Sequence, residues 1–251
     1  MRNLTLFAFC ALLAFACKDK AEKAQNESEA EPMASAETEM KAEEWTVLFD
    51  GTSFDGWKEY QKDGVSENWK IEDGAMVFYP PENRKKGEIF DLVTENEYTD
   101  FVLSLDWKIS EGGNSGVFWG VNEEAGLGKP YHSGPEVQVL DNERHPDAKN
   151  GTTHQAGALY DMVAPSEEVV NPAGEWNTMV ITINHKEHKG SVELNGKKIV
   201  DFPLANEAWN ALVAKSKFAD WEHFGKFTTG KLGLQDHGNQ VAYRNIKIKE
   251  L

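Results

Sequence analysis

Phe101, Leu103, Leu105, Trp107 and Ile109 alternate with Val102, Ser104, Asp106 and Lys108, a period of two that predicts a strand with one face in a core. Met179, Ile181 and Ile183 alternate in the same way with Val180, Thr182 and Asn184. Between residues 191 and 202, two short runs of this kind flank Asn195-Gly196, a dipeptide suited to the tight turn of a hairpin. Further strand candidates lie at 69–71, 75–78, 116–121, 136–140, 231–235 and 241–248, and only 212–224 reads as a helix. At least eight closely spaced strands with one helix predict an all-β sandwich or jelly roll.

Parity then sorts side chains by face. Val137 and Val139 are expected in the core, which puts Glu136 and Gln138 on the opposite face. Leu232 and Leu234 point one way, Gln235 and His237 the other. Asn114-Ser115-Gly116 is expected to turn the chain ahead of Val117, Trp119 and Val121, which share a face, with Phe118 opposite. Trp107 belongs to the core set, whereas parity leaves Trp119 open. A strand face that offers Glu, Gln and His beside tryptophans suits a carbohydrate groove, because polar groups bond hydroxyls and indoles stack on sugar rings. For any one of these residues the competing reading is a solvated strand face.

Composition narrows the chemistry. Both cysteines, Cys10 and Cys17, lie near the amino terminus, so residues 45–251 contain none. That excludes structural disulfides, cysteine-ligated zinc, iron–sulfur clusters and cysteine nucleophiles there. The net charge of -16 makes nucleic acid a poor partner. No G-x-G-x-x-G, P-loop or G-x-S-x-G sequence is present to suggest a nucleotide site or a hydrolase elbow.

Residues 1–16 read as a signal peptide, with Arg2 ahead of an apolar run too short to span a bilayer permanently. Leu13-Ala14-Phe15-Ala16-Cys17 resembles a bacterial lipobox, although Leu13 stands four places before the cysteine instead of three. Cys17 is the expected lipid-attachment residue; the alternative is an ordinary secretory signal. Residues 18–44 hold 9 acidic and 4 basic side chains and few large apolar ones, so with Cys17 they are expected to form a flexible tether, 17–44. The expected location is the bacterial cell envelope, lipid-anchored and facing the periplasm or the cell surface, with no other membrane contact. The 45–251 region keeps 33 acidic and 21 basic residues, so most of the negative charge belongs to one large β domain.

A series of phrases runs through that domain. Leu48-Phe49-Asp50-Gly51-Thr52, Gly56-Trp57, Trp69-Lys70-Ile71-Glu72-Asp73-Gly74 and Tyr98-Thr99-Asp100-Phe101 come first. Gly112-Gly113-Asn114-Ser115-Gly116, Gly134-Pro135-Glu136-Val137-Gln138-Val139-Leu140-Asp141-Asn142 and Ala156-Gly157-Ala158-Leu159-Tyr160-Asp161 follow. Pro172-Ala173-Gly174-Glu175-Trp176-Asn177, Lys215-Ser216-Lys217-Phe218, Leu234-Gln235-Asp236-His237-Gly238 and Arg244-Asn245-Ile246 complete it. In order and spacing the set resembles the 3-keto-disaccharide hydrolase family across 45–251. The resemblance implies a concanavalin A-like jelly roll of two curved antiparallel sheets with the site on the concave one. It also implies cleavage of glycosides whose C3 hydroxyl a separate oxidoreductase has already converted to a ketone.

A 3-ketone acidifies the C2 hydrogen. A base at C2 forms an enediolate that expels the C1 oxygen, and water then adds to the enone. This needs a base, a donor or cation for the enolate oxygen, and an acid for the leaving group. His237 is the first choice for proton transfer, because an imidazole titrates near neutrality and parity sets it beside Gln235. A structural histidine is its bland alternative. Glu136 and His145 are the next candidates, Glu136 as base or cation ligand, or simply as a hydroxyl binder, and His145 as a turn residue otherwise. Convergence of Glu136, His145 and His237 would suit a divalent cation holding the enolate, although no HxH or HExxH spacing supports one.

Asn114, Gln138, Asp141, Gln235 and Arg244 are candidate hydroxyl or carbonyl binders. For Asp141 the alternative is a turn, and for Arg244 a surface ion pair. Trp221 and His223 are expected to pack a helix on the sheet edge, with a rim of the site as the other reading. Two rival functions remain, a conventional glycoside hydrolase and a noncatalytic carbohydrate-binding module on the same fold.

Overall fold

The computed structural model describes residues 44–123 and 126–251. The expected signal, Cys17 and all but the last residue of the expected tether lie outside them. The strands are β1 (Thr46–Phe49), β2 (Trp57–Glu59), β3 (Trp69–Glu72), β4 (Ala75–Phe78), β5 (Leu92–Thr94), β6 (Phe101–Ile109) and β7 (Asn114–Val121). After them come β8 (Glu136–Leu140), β9 (Asn177–Asn184), β10 (Lys189–Leu194), β11 (Lys197–Pro203), β12 (Lys231–Leu234) and β13 (Val241–Glu250), with one α-helix, α1 (Glu207–Val213), before β12.

An eight-stranded sheet runs β11-β10-β9-β6-β13-β4-β3, with β1 added on β13, and a five-stranded sheet runs β2-β5-β12-β7-β8. All pairings are antiparallel. The two sheets form the concanavalin A-like jelly-roll sandwich. The even-spaced set of β6, Phe101 to Ile109, is buried with Met179, Ile181 and Ile183 of β9 and with Val137, Val139, Leu232 and Leu234 of the other sheet. Apolar area removed from water between the sheets drives this arrangement. Trp107 lies in that core, and Trp119 stacks on Phe202 inside it at 5.7 Å.

Three local features differ from the sequence reading. Asn114-Ser115-Gly116 is not a turn but the start of β7, paired with Leu140, Val139 and Gln138 of β8. Val121 does not share a face with Val117 and Trp119: it clusters with Phe118, Tyr60 and Val93 on the other side of the sheet. The cause is a β-bulge, since Lys231 pairs with Val121 but Gly233 with Phe118, and Gly120 takes the left-handed φ of 62° that the extra residue needs. The helix lies earlier than 212–224. Asn206 accepts the Trp209 N–H at 2.9 Å and caps α1, and Trp209 and Val213 bury one helical face. Ser216 then ends the segment as a turn, its hydroxyl donating to the Val213 carbonyl and accepting the Phe218 N–H. β1, β2 and β5, at three or four residues each, are not among the strands the sequence predicts.

β8 would be an open edge of the five-stranded sheet. The chain after it folds back as a cover: Gln138 exchanges backbone hydrogen bonds with Gly157 and Ala158, and the Tyr160 N–H donates to the Glu136 carbonyl at 3.0 Å. This closure buries every residue of β8 and carries Tyr160 to the side of Glu136.

Candidate functional site

On the face of the five-stranded sheet turned away from the core lies a cleft of about 340 Å³. Its floor is Asn114 of β7, Glu136 and Gln138 of β8, and Gln235 and His237 just beyond β12. Tyr131, Tyr160, Lys217, Phe218 and Trp221 wall it. The strand alternation that sends Val137, Val139, Leu232 and Leu234 inward aims these polar side chains outward.

Glu136 is buried, and its carboxyl rests against Gly116, where any Cβ would collide with it. Gln235 Nε2 donates to Glu136 Oε2 at 3.4 Å. Burial pushes the Glu136 pKa up to about 8; the Lys217 cation opposes the shift and the Asp91 carboxyl adds to it. His237 stands at the mouth of the cleft, exposed on one side. Crowding by the cleft walls and the neighbouring His145 push its pKa below the ordinary imidazole value. Around neutral pH, Glu136 therefore carries a proton and His237 does not. Two titratable groups with opposite displacements in one cleft are the usual mark of an acid and a base.

The segment that carries His237 is fixed from beneath. Arg84 grips both oxygens of Asp236 at 2.6 and 2.7 Å, and Asp236 accepts the backbone N–H of Phe90 and of Gly238. The Asp236 N–H donates to Asp91 at 2.7 Å, and burial together with the Asp236 charge raises the Asp91 pKa to about 7.

The opposite wall is held by a histidine. His154 bridges Asp147 and Asp161 at 3.0 Å each, Tyr160 donates its hydroxyl to Asp147 at 3.0 Å, and Asp161 accepts the Lys217 N–H at 2.7 Å. Burial and the Asp147 charge raise the Tyr160 pKa, so its phenol stays a donor. Lys217 Nζ lies 4.0 Å from the Tyr160 ring centroid, and among the described residues no carboxylate is within ion-pair distance of it. A cation held by an aromatic face at the cleft and left without a counter-ion is positioned to meet negative charge.

The amides of Asn114, Gln138 and Gln235 each leave a buried oxygen without a hydrogen-bond partner. Such orphans are costly, and three of the five among the described residues belong to the cleft.

The structure thus brings together Asn114, Glu136, Gln138, Gln235 and His237. His145 backs the site without lining it: its ring meets His237 edge-on at 6.2 Å, and its Nδ1 accepts the Asp147 N–H. Glu136, His145 and His237 do not form a donor set, and among the described residues no group of three or more His, Cys, Asp or Glu side chains is arranged to hold a metal ion. Asp141 lies outside the cleft. Against the effect of burial, three backbone N–H bonds, from Gly112, Glu143 and Arg144, hold its carboxyl below the usual range. It ties the β6–β7 turn to the end of β8. Arg244 is on the other sheet, paired with Asp106 at 3.3 Å. Trp221 is a cleft wall, while His223 stacks on Phe227.

Tyr131, in the short 3-10 helix Pro130–His132, and Tyr160, Lys217 and Phe218, on loops, carry no periodic signal in the sequence. For Tyr160, Lys217 and Phe218, the signal available was membership of the phrases that carry the family resemblance.

The profile of the 3-keto-alpha-glucoside-1,2-lyase-like domain matches residues 44–249. The chain is 35% identical, over 243 aligned positions taking in 87% of it and 82% of the relative, to the 3-keto-disaccharide hydrolase of Bacteroides thetaiotaomicron. A crystal structure of a candidate glycosyl hydrolase from Parabacteroides distasonis aligns with a TM-score of 0.75 at 35% identity, covering 84% of this chain and 95% of that one. A second from the same organism aligns with a TM-score of 0.61 at 26% identity, covering 83% and 100%.

Proposed function

The chain belongs to the 3-keto-alpha-glucoside-1,2-lyase-like family, and from that premise we propose that it cleaves 3-keto-disaccharides and related 3-keto-glycosides by elimination and hydration. As a glycosidic-bond hydrolase of 3-keto sugars it needs no oxocarbenium ion. The observation that carries the reading is the pairing of Glu136 and His237 in one cleft with their pKa values displaced in opposite directions.

In this mechanism neutral His237 removes the C2 proton. The C2–H electrons form the enediolate, whose oxygen draws on the Lys217 cation. Collapse of the enediolate breaks the C1–O bond, and protonated Glu136 supplies the proton to the departing oxygen. Water then adds at C1, with the Glu136 carboxylate accepting its proton, while protonated His237 returns a proton to C2. Both residues end as they began. The unpaired amide oxygens of Asn114, Gln138 and Gln235 are the candidate acceptors for the sugar hydroxyls.

Glu136 is the one carboxylate among the described residues lining the cleft, whereas a conventional glycosidase requires two flanking the anomeric carbon. The 35% identity to a 3-keto-disaccharide hydrolase over most of the chain favours an enzyme over a binding module. The test is turnover in D2O. The 3-keto-disaccharide should be cleaved with one deuteron incorporated at C2, and the unoxidised disaccharide should remain intact. Cleavage of the unoxidised sugar, or hydrolysis without C2 exchange, overturns the proposal.

The ketone at C3 requires an upstream oxidoreductase acting on the same sugar, and no cofactor is assigned to the cleavage itself. The Leu13–Cys17 pattern supports lipidation of Cys17 in a bacterial envelope; metabolic lipid labelling lost in Cys17→Ser is the expected result, and labelling that persists overturns it.

A further inference from the structure

Arg244 and Trp176, both within the phrases that span the domain, take no part in the cleft. They lie on the opposite side of the sandwich, at a cavity of about 430 Å³ on the outward face of the eight-stranded sheet. Ala75, Val77 and Ala242 floor it; Val77 and Ala242 are direct cross-strand partners, and the three small side chains leave a depression. Tyr79 and Trp176 flank this floor.

Both rings are held in place. Trp176 has the Arg244 guanidinium 3.9 Å and Lys108 Nζ 4.8 Å from its ring centroid. Asp106 fixes Arg244, and also accepts from Thr178 Oγ1 and Asn245 Nδ2 at 2.7 Å each. A β-bulge between Arg244 and Lys247, with Asn245 at a left-handed φ of 53°, sets the aim of Arg244. On the facing wall, Tyr79 donates its hydroxyl to Glu72 at 2.7 Å.

We propose that this cavity is a second carbohydrate site, taking a neutral pyranose unit of an oligosaccharide between Tyr79 and Trp176. Three features select that ligand class. Aromatic rings over an apolar floor match the C–H faces of a sugar ring. Glu72 accepts, Lys108 donates, and Ser110 and Gln240 do both, which suits hydroxyls that need donors and acceptors in alternation. Glu72 and Asp73 are balanced in the lining by Lys108 and Arg244, which leaves no net charge to select an ion, and a wholly apolar ligand would strand these polar groups without water. The volume lies within the range of small-ligand sites. Its use is independent of the catalytic cleft: it would hold a glycan on the face away from the chemistry.

The test is calorimetric titration of the full chain with unoxidised maltotetraose, cellotetraose and laminaritetraose at millimolar concentration. At least one should bind, with Kd weakened by about tenfold in Trp176→Ala, the size of one good aromatic contact. Tyr79→Ala should act in the same direction, and serves alone if Trp176→Ala fails to fold. Trp221→Ala, in the catalytic cleft, should leave this binding unchanged, and Trp176→Ala should leave kcat/KM on a 3-keto-disaccharide unchanged. No binding by any of the three sugars, binding that survives both wall variants, or binding lost in Trp221→Ala overturns the proposal.

Discussion

Replacing Glu136 by glutamine should abolish turnover while making the protein more stable at neutral and alkaline pH. In the unfolded chain this carboxyl ionises near the ordinary value of 4.5; in the folded protein it does so at about 8. Between those values the folded state holds a proton that the unfolded state has released, so stability is full below the lower value and falls as pH rises toward the upper one. Over that window the loss from this one group reaches about 3 kcal/mol at pH 7 and about 4 kcal/mol at pH 8. Glutamine keeps the shape and never ionises, so Glu136→Gln should escape the loss. For a domain of this size the difference amounts to a melting temperature roughly 10 °C higher than wild type at pH 8. Near pH 4.5 the two proteins should melt together. Asp91, also raised, contributes to both and largely cancels in the comparison. Scanning calorimetry of both proteins from pH 4.5 to pH 9 reads the effect directly. A variant that melts at or below wild type across this range refutes the claim that Glu136 is buried in its neutral form, and with it the role as acid.

The same two groups predict a bell-shaped pH dependence of kcat/KM. The acid limb lies below the ordinary imidazole range, where His237 takes up a proton, and the alkaline limb near 8, where Glu136 loses one; a wild-type profile that stays flat through either region refutes the corresponding assignment. Gly116→Ala places a methyl group against the Glu136 carboxyl, and should cost about 1–3 kcal/mol in denaturant unfolding along with most activity, whereas an unaltered variant would mean that the carboxyl moves freely. Lys217→Met should lower kcat by roughly 10²–10³ with a small change in KM, and Lys217→Arg should recover part of it; a pure KM effect would make Lys217 a binding residue only.

Much of this molecule was legible before its fold was known, and the unread parts share physical causes. β6 and β9 each bury one face against a single core, so hydrophobicity alternates cleanly, and the same parity put Glu136, Gln138, Gln235 and His237 together. β7 was harder because all eight of its residues are buried, leaving no alternation at Asn114, and because the bulge at Gly120 reverses the parity of Val121. Lys217 and Tyr160 come to Glu136 through the hydrogen bonds of His154 and of the β8 edge, which are tertiary contacts with no period in sequence. Arg244 shows the converse. Its place in a family phrase was plain, but the sheet it belongs to was not, and it lies at the second cavity instead of the first.

The strands richest in C-terminal residues occupy the middle of both sheets. β12 lies between β5 and β7, and β13 has β6 along one side and β4 and β1 along the other. On a ribosome, the earlier strands are made first and must wait with exposed edges until residues 231–250 emerge, more than a hundred residues after β7. Neither sheet can close before residues 231–250 have been made, and Gln235 and His237 arrive with the same late segment. Nascent chains should therefore remain open to chaperones and to translocation machinery until β12 and β13 are made, and catalytic competence should appear together with the fold and not ahead of it.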